Sequence, residues 1–453
     1  MSILSFPDAL TTVLTHAENL RPDAALEEVG LQDALGRVLA RPLHADLDQP
    51  PFDRSTRDGY AVRAEDLNHP LRLIGSIRAG EAWQGPDLAT GQALEIMTGA
   101  PVPSGANAVL MLEHATLEGD TLHAEAGRTL KPGENIVPRA AEASAGSQLL
   151  PAGSRLGAAE ISVAASCGAT KLPVFAKPGV SIVATGDELV DVNQTPAPHQ
   201  IRNSNSHSLA ALVTAEGGAP WRLPIARDTV EDLRARLVTA MTTDLILFSG
   251  GVSAGKFDLV EQVLAEANAE FLFTGALIQP GKPIVFGRIP RLLKQQTSAE
   301  EGSTEASGEE PLKGPGFSPA INSAEKIGAL APEGMQGSSE DYTYFFGLPG
   351  NPISTQVCFH LFVAPLLRSL AGRTDLAPSF AEARLSADVK GGAKVTRFLP
   401  AELSSAWDGV TVTVLNWQGS GDIATNARAN GYAVLPTDIE QFRAGETVRV
   451  LLR

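Results

Sequence analysis

Cysteine is nearly absent. Cys167 and Cys358 are the two in 453 residues, and no Cys-x-x-Cys pair occurs. That argues against a disulfide framework or a cysteine-rich metal centre, and the cytoplasm is the expected compartment. The eight histidines form no His-x-His or His-x-x-x-His pair, so a zinc site is not expected either. Positive charge is in deficit, with 36 Lys and Arg against 52 Asp and Glu and a formal net charge of −16. Such a field argues against nucleic acid or an anionic membrane as the main partner, although a local site can still hold an anion. No run of about 18 apolar residues stands out, so nothing is expected to cross a membrane. The N-terminus carries no basic segment ahead of an apolar one, so no signal peptide is expected. The nucleoside-triphosphate loop pattern is missing as well.

What is present is a chain long enough for two to four domains. Residues 1–20 read as an amphipathic helix: Ser5 caps it, Asp8 lies three residues on, and Phe6, Leu10, Val13, Leu14 and Ala17 share a face. Residues 21–46 and 142–172 mix short apolar runs with Gly and Pro, and read as a linker domain. Between them, 47–141 breaks into strand-like pieces and reads as an inserted β domain. From 173 the period changes. GVSIVATGDELV, PWRLPIARD, DLILFSGG and YTYFFGLPGNP read as strands, each followed by a helical segment. Alternating strands and helices predict an α/β domain with a parallel sheet, formed by 1–20 and 173–373. Residues 374–453 return to β and read as a C-terminal β domain. One stretch breaks the pattern. Residues 291–341 hold nine acids, four bases and one aromatic among many Ser and Gly, and read as a mobile insertion.

In open α/β sheets, ligands bind at the carboxyl ends of the strands, and the Gly-rich junctions fall there. SGGVSAGKFD sets Gly250, Gly251 and Gly255 around Ser253 just before a helix, where free N–H groups form an anion cradle. TGDEL, ARD, QPGKP and GLPGNPIS are further strand-end loops. They bring Asp187, Glu188, Asp228 and Asp258 toward one rim, with Lys282 and the N–H groups around Gly350 and Ser354. Any one of these acids is a reasonable helix-start residue. As a set beside anion cradles, they point to a divalent ion such as Mg²⁺ bridging carboxylates and phosphate oxygens.

PPFDRSTRDGYAV, IMTGAPVP, ATGDELV, FSGGVSAGKFD, QPGKP, GLPGNPIS and GSGDIATNARANGYAVLP occur in that order. Together they resemble the MoeA family of molybdopterin molybdenumtransferases, to which the gephyrin and plant Cnx1 E domains belong. The resemblance spans nearly the whole chain outside 291–341. It implies insertion of molybdate into adenylylated molybdopterin, with release of AMP and assistance by Mg²⁺. It also implies a linker domain, an inserted β domain, a molybdopterin-binding α/β domain and a C-terminal β-barrel. The family's homodimers build each cleft from the α/β domain of one subunit and the β domain of the other.

Carried over by position, the resemblance makes Glu188, Asp228 and Asp258 the acids that handle Mg²⁺ and the phosphates. Asp58, Thr98 and Glu142 would join from the partner side. Lys282, Pro283, Ser354, Arg397 and Ser420 would line the molybdate pocket. The backbone of Gly250, Gly251, Val252 and Ser253, with Pro349, Gly350 and Asn351, would cradle the substrate. A separate adenylyltransferase would supply the substrate, and a molybdoenzyme would receive the product.

The chain departs from the family pattern in several places. Gln279 stands where relatives often carry Lys. Ala140-Ala141-Glu142 replaces Gly-Glu-Asp, and Arg57 replaces Met or Val. The segment GGAKVTRFLPAE keeps the family's Arg pattern poorly. These changes leave two other readings, a tungstate-preferring paralogue and a non-catalytic pterin carrier or scaffold. The retained acid set favours the enzyme.

Overall fold

The computed structural model describes residues 2–20, 26–251, 259–291, 342–392, 394–407 and 409–453. The insertion expected over 291–341 therefore lies, apart from Arg291, outside the described residues. The chain packs as two compact units, Leu26–Val174 and Met1–Ala25 with Phe175–Arg453.

The first unit is built on a six-stranded sheet. Its strand order is Ala108–Met111, Gly59–Val62, Gln92–Ile96, Leu71–Ile77, Thr121–Ala124 and Ala115–Glu118. Strand alternation gives it a core on each face. Tyr60 and Val62 pack with Leu71, Leu110 and Leu122, whereas Ala61 between them packs with Ile77, Leu94 and Val109. A third cluster joins the distant segments around Ala34 and Leu39 to Leu156, Ala164 and Val174.

The second unit holds another six-stranded sheet, ordered Ala219–Arg222, Gly179–Ala184, Leu245–Ser249, Tyr342–Leu348, Val285–Pro290 and Glu270–Phe273. The first four strands are parallel, as the sequence pattern predicts. The last two are antiparallel, so the sheet is mixed rather than purely parallel. Three of these parallel strands, Gly179–Ala184, Leu245–Ser249 and Tyr342–Leu348, are buried on both faces, which their near-continuous apolar runs require, whereas the edge strand Ala219–Arg222 is largely exposed. Ile182, Leu247 and Phe346 face one core, and Val183, Phe248 and Phe345 the other. The helix Phe6–Asn19 covers the first face with Ala9, Val13 and Ala17. Its cap is the expected one, with the Asp8 N–H donating to Ser5 Oγ at 3.3 Å. Thr229 caps Val230–Ala240 in the same way, accepting from the Asp232 N–H.

Among the described residues one helical run, Pro352–Leu370 (19 residues), is long and apolar enough to cross a membrane. This corrects the expectation that no segment has that length and composition. Its apolar window is 89% buried inside the fold, so it serves as a core helix. The run changes to a π turn over Phe359–Val363 just before Pro365, whose missing N–H cannot bond the preceding turn.

At the C-terminus five strands close into a barrel: Thr396–Ala406, Gly409–Val414, Phe380–Leu385, Thr447–Leu452 and Gly431–Leu435, the last pairing back to the first. Closure leaves no free edge. The alternation of these strands serves two cores at once. Leu399, Ala433, Leu435, Val448 and Val450 fill the barrel. Phe398, Tyr432, Val434 and Leu451 point outward and join the core of the α/β sheet.

The same junction carries a largely buried ion cluster. Arg368 Nε and Nη2 both donate to Glu216 at 2.8 Å, and Arg373 Nη1 donates to it at 3.0 Å. Burial pushes the Glu216 carboxyl up, but its hydrogen bonds and the two guanidinium charges prevail and hold it below the usual glutamate value of 4.5. A depressed carboxylate stabilises the fold above that ordinary value, and the contribution is lost as pH falls through the lower, folded one. Glu216→Ala is expected to cost about 3–5 kcal/mol at neutral pH, because the buried Arg368 loses its carboxylate partner and Arg373 keeps only Asp375. The gap from the native chain should narrow on acidification. Urea titrations across pH test this, and a gap that stays constant into strong acid would refute it.

Candidate functional site

The parallel strands all end on one edge of their sheet, and a cleft of about 840 Å³ opens there. Thr185 and Gly186 follow Gly179–Ala184, and Ser249 closes Leu245–Ser249. Pro349 and Gly350 follow Tyr342–Leu348, and Asp228 precedes the helix Val230–Ala240. Pro283 comes from the start of an antiparallel strand. Val285 pairs with Gly347, so the beginning of that strand lies on the same edge. Gly421 and Ile423 reach the cleft from the loop between two barrel strands, which the Ile353 N–H ties down by donating to Ser420 O at 3.0 Å.

Gly250 and Gly251 form the floor. Their φ angles are +91° and +66°, the left-handed region that glycine tolerates. A Cβ at Gly250 would lie 2.7 Å from Thr185 O, and one at Gly251 would lie 2.9 Å from Thr185 Oγ1 and from Val260 Cγ2. A side chain at either position would clash, and the Gly250 N–H donates to Leu348 O at 3.2 Å. Thr185 also donates through Oγ1 to Asp228 Oδ1 at 3.1 Å, which orients that carboxylate.

Glu188, Asp228, Gly250, Gly251, Pro283, Pro349, Gly350 and Asn351, all expected from the sequence, line this one cleft. Lys282, Ser354, Arg397 and Ser420, also expected there, are not among its lining residues, and neither is Asp187. Ser354 is buried in the first turn of the helix that Asn351 begins. Arg397 is turned toward the barrel, its Nη1 donating to Lys390 O at 2.9 Å. Val252, Ser253 and Asp258 lie outside the described residues.

Sequence reasoning passed over Arg202, Asn203, Ser204 and Asn205, which form one wall. Ser204 and Asn205 begin a segment that reads as a helix, and Asn203 accepts from the Ser206 N–H at 3.1 Å. Four polar residues in a row after a strand end were the available signal. Arg202 is the one cation among the described lining residues, facing two acids, with its Nε donating to Gln194 O at 3.0 Å.

Three stretches match family descriptions. Residues 4–168 match the MoeA N-terminal region (domain I and II), 181–369 a probable molybdopterin binding domain, and 382–452 the MoeA C-terminal region (domain IV). A molybdopterin molybdenumtransferase from a Nostoc species is 31% identical over 99% of this chain and 93% of its own length. The chain belongs to the MoeA family. A Bacillus subtilis molybdopterin molybdenumtransferase is 31% identical over 94% of this chain and 89% of its own. A solved MoeA protein from Pyrococcus horikoshii superposes with a TM-score of 0.74 at 26% identity, covering 100% of both chains.

In this MoeA chain all the described residues lining the cleft except Gly421 and Ile423 fall within the stretch matched to molybdopterin binding. Among the described residues no three His, Cys, Asp or Glu side chains converge to hold a metal ion unaided. Glu188 and Asp228 supply two carboxylates. That fits an ion such as Mg²⁺, which takes one or two carboxylates and fills its shell with substrate oxygens and water.

The remaining expected acids lie in the other unit. Asp58 Oδ1 accepts from the Thr98 N–H at 2.6 Å and from Thr98 Oγ1 at 2.8 Å. The backbone donor first, and the hydroxyl second, hold Asp58 below the usual aspartate value. Glu142 is exposed and pairs with Arg54 Nη2 at 3.3 Å. Thr98→Ala is expected to return the Asp58 pKa only part of the way toward its ordinary value, because the larger, backbone contribution stays. Carboxyl ¹³C titration measures it, and a complete return would mean the hydroxyl is the principal donor.

Proposed function

We propose that the chain inserts molybdate into adenylylated molybdopterin, forming molybdenum cofactor and releasing AMP, with the assistance of Mg²⁺. One juxtaposition carries this reading. In a chain of this family, two carboxylates and a glycine turn line one cleft, most of it in the stretch matched to molybdopterin binding.

In this reading the backbone of Gly250 and Gly251, with the helix start at Asn351, holds the phosphates. Glu188 and Asp228, with Asp258 by carry-over, would hold Mg²⁺, which offsets phosphate charge and polarises the phosphoanhydride as AMP departs. Thr185 keeps Asp228 turned to that task. Arg202 supplies the opposing charge that the substituted Gln279 does not. Asp58, kept anionic by Thr98, serves with Glu142 the cleft of a second copy in a homodimer. The substrate arrives from a separate adenylyltransferase and the product leaves to a molybdoenzyme.

Asp228→Asn keeps the shape and the Thr185 contact but removes a charge. AMP release in the presence of molybdate and Mg²⁺ should fall about a hundredfold, since metal-assisted charge stabilisation accounts for several kcal/mol. The melting temperature should stay near native, because Asp228 is exposed. Chromatographic assay of AMP decides it, and release at the native rate would sink the assignment. Native protein that binds the adenylylated pterin yet releases nothing with molybdate or tungstate would instead be a carrier.

A further inference from the structure

The wall missed by sequence reasoning contains a polar atom with no partner among the described residues. Asn205 opens the helix Asn205–Ala215 and is 8% exposed. Its Nδ2 donates to Gly350 O at 2.7 Å and to Ser249 Oγ at 3.0 Å, with a longer contact to Thr355 Oγ1 at 3.4 Å. A carbonyl can only accept, so the Gly350 contact sets which end of the amide is nitrogen. The Thr355 hydroxyl is occupied in turn, donating toward Pro349 O at 2.6 Å. One amide nitrogen therefore ties together a strand end, the Pro349–Gly350 loop and the helix behind it.

The other end of the amide is left over. Oδ1 of Asn205 is buried and has no hydrogen-bond partner among the described residues, and Asn205 lines the cleft. Buried amide oxygens are rarely left unpaired, because desolvation without a compensating bond is unfavourable. The apo cleft thus presents a preset acceptor beside its anion-binding floor.

We infer that Asn205 is a ligand-recognition residue: its amide nitrogen fixes the walls of the cleft, and its Oδ1 accepts a hydrogen bond from an N–H or O–H group of the bound molecule. Fully ionised phosphate and molybdate have no such donor, so the partner is on the organic part of the ligand. Resting on the proposed function, that ligand is an adenylylated pterin. It has donors in both halves, N–H groups on the pterin and O–H groups on the ribose. Asn205 then selects the organic substrate, while the glycine turn and the cation select its charge.

The test separates wall-fixing from recognition. Asn205→Leu removes both functions at nearly constant volume, whereas Ser249→Ala and Thr355→Val remove partners of the nitrogen and keep Oδ1. Calorimetric titration of each full-length variant uses three probes: AMP, molybdopterin and adenylylated molybdopterin. Asn205→Leu should weaken adenylylated molybdopterin about tenfold, the usual scale for one lost hydrogen bond with a partner left unpaired. The same loss should appear with only one of the half-ligands, which identifies the donor. Ser249→Ala and Thr355→Val should weaken binding much less. Asn205→Ser, too short to reach, repeats the measurement should the leucine variant not fold. Native affinity in the Asn205 variants would overturn the inference and assign Oδ1 to water. Equal losses in all the variants would reduce Asn205 to a structural clamp. Failure of the native chain to bind any of the probes would refute the proposed substrate instead, and this assignment with it.

Discussion

A parallel strand delivers its carboxyl end to the same edge as its neighbours, and the helix that follows starts with unpaired N–H groups. That polarity is the constraint from which the cleft follows. Three parallel strands buried on both faces cannot shift in register without exposing apolar side chains, so their ends are held in fixed relation. Thr185, Ser249, Pro349 and Asp228 are then presented together although they span about a third of the chain's length. Even the antiparallel strand obeys the rule in reverse. It contributes its beginning, Pro283, where its parallel neighbours contribute their ends.

Charge poses the second problem. A chain with a formal net charge of −16 is an unfavourable host for a polyanion. The cleft answers with local dipoles rather than with a basic surface. The backbone at the Gly251 turn and the dipole of the helix Pro352–Cys358 carry partial positive charge without adding lysines. Arg202 adds the one full charge among the described lining residues. For the proposed reaction, two carboxylates in such a site would favour an intervening divalent ion, since without one they would repel an anionic substrate. Asp58 shows the same economy in the other unit, where the Thr98 N–H and hydroxyl rather than a cation keep it ionised.

The barrel is tied to the α/β sheet by alternation. Each of its strands gives every second side chain to its own interior, and several give the remainder to the neighbouring core. Phe398 and Tyr432 are fully buried in this shared layer. The loop bearing Gly421 and Ile423 is thereby carried to the cleft, so a segment late in the chain completes a site begun by Thr185.

Much of this was legible in the sequence, because the signals are local. The Ser5 and Thr229 caps, the strand–loop–helix rhythm and the glycines of the Ser-Gly-Gly turn depend on residues within a few positions of one another. So did the ordered phrases by which the family resemblance was stated. The site was less legible. Asn205 read as part of an ordinary helix start, Arg202 drew no reading, Lys282 and Arg397 read as pocket residues, and the sheet read as parallel throughout. None of these could be decided locally. Where a side chain points depends on sheet order, on the direction of a neighbouring strand and on which partner captures its polar atoms. Those contacts join residues more than a hundred positions apart, such as Asn205 with Gly350, and arise only when the packed cores bring them together.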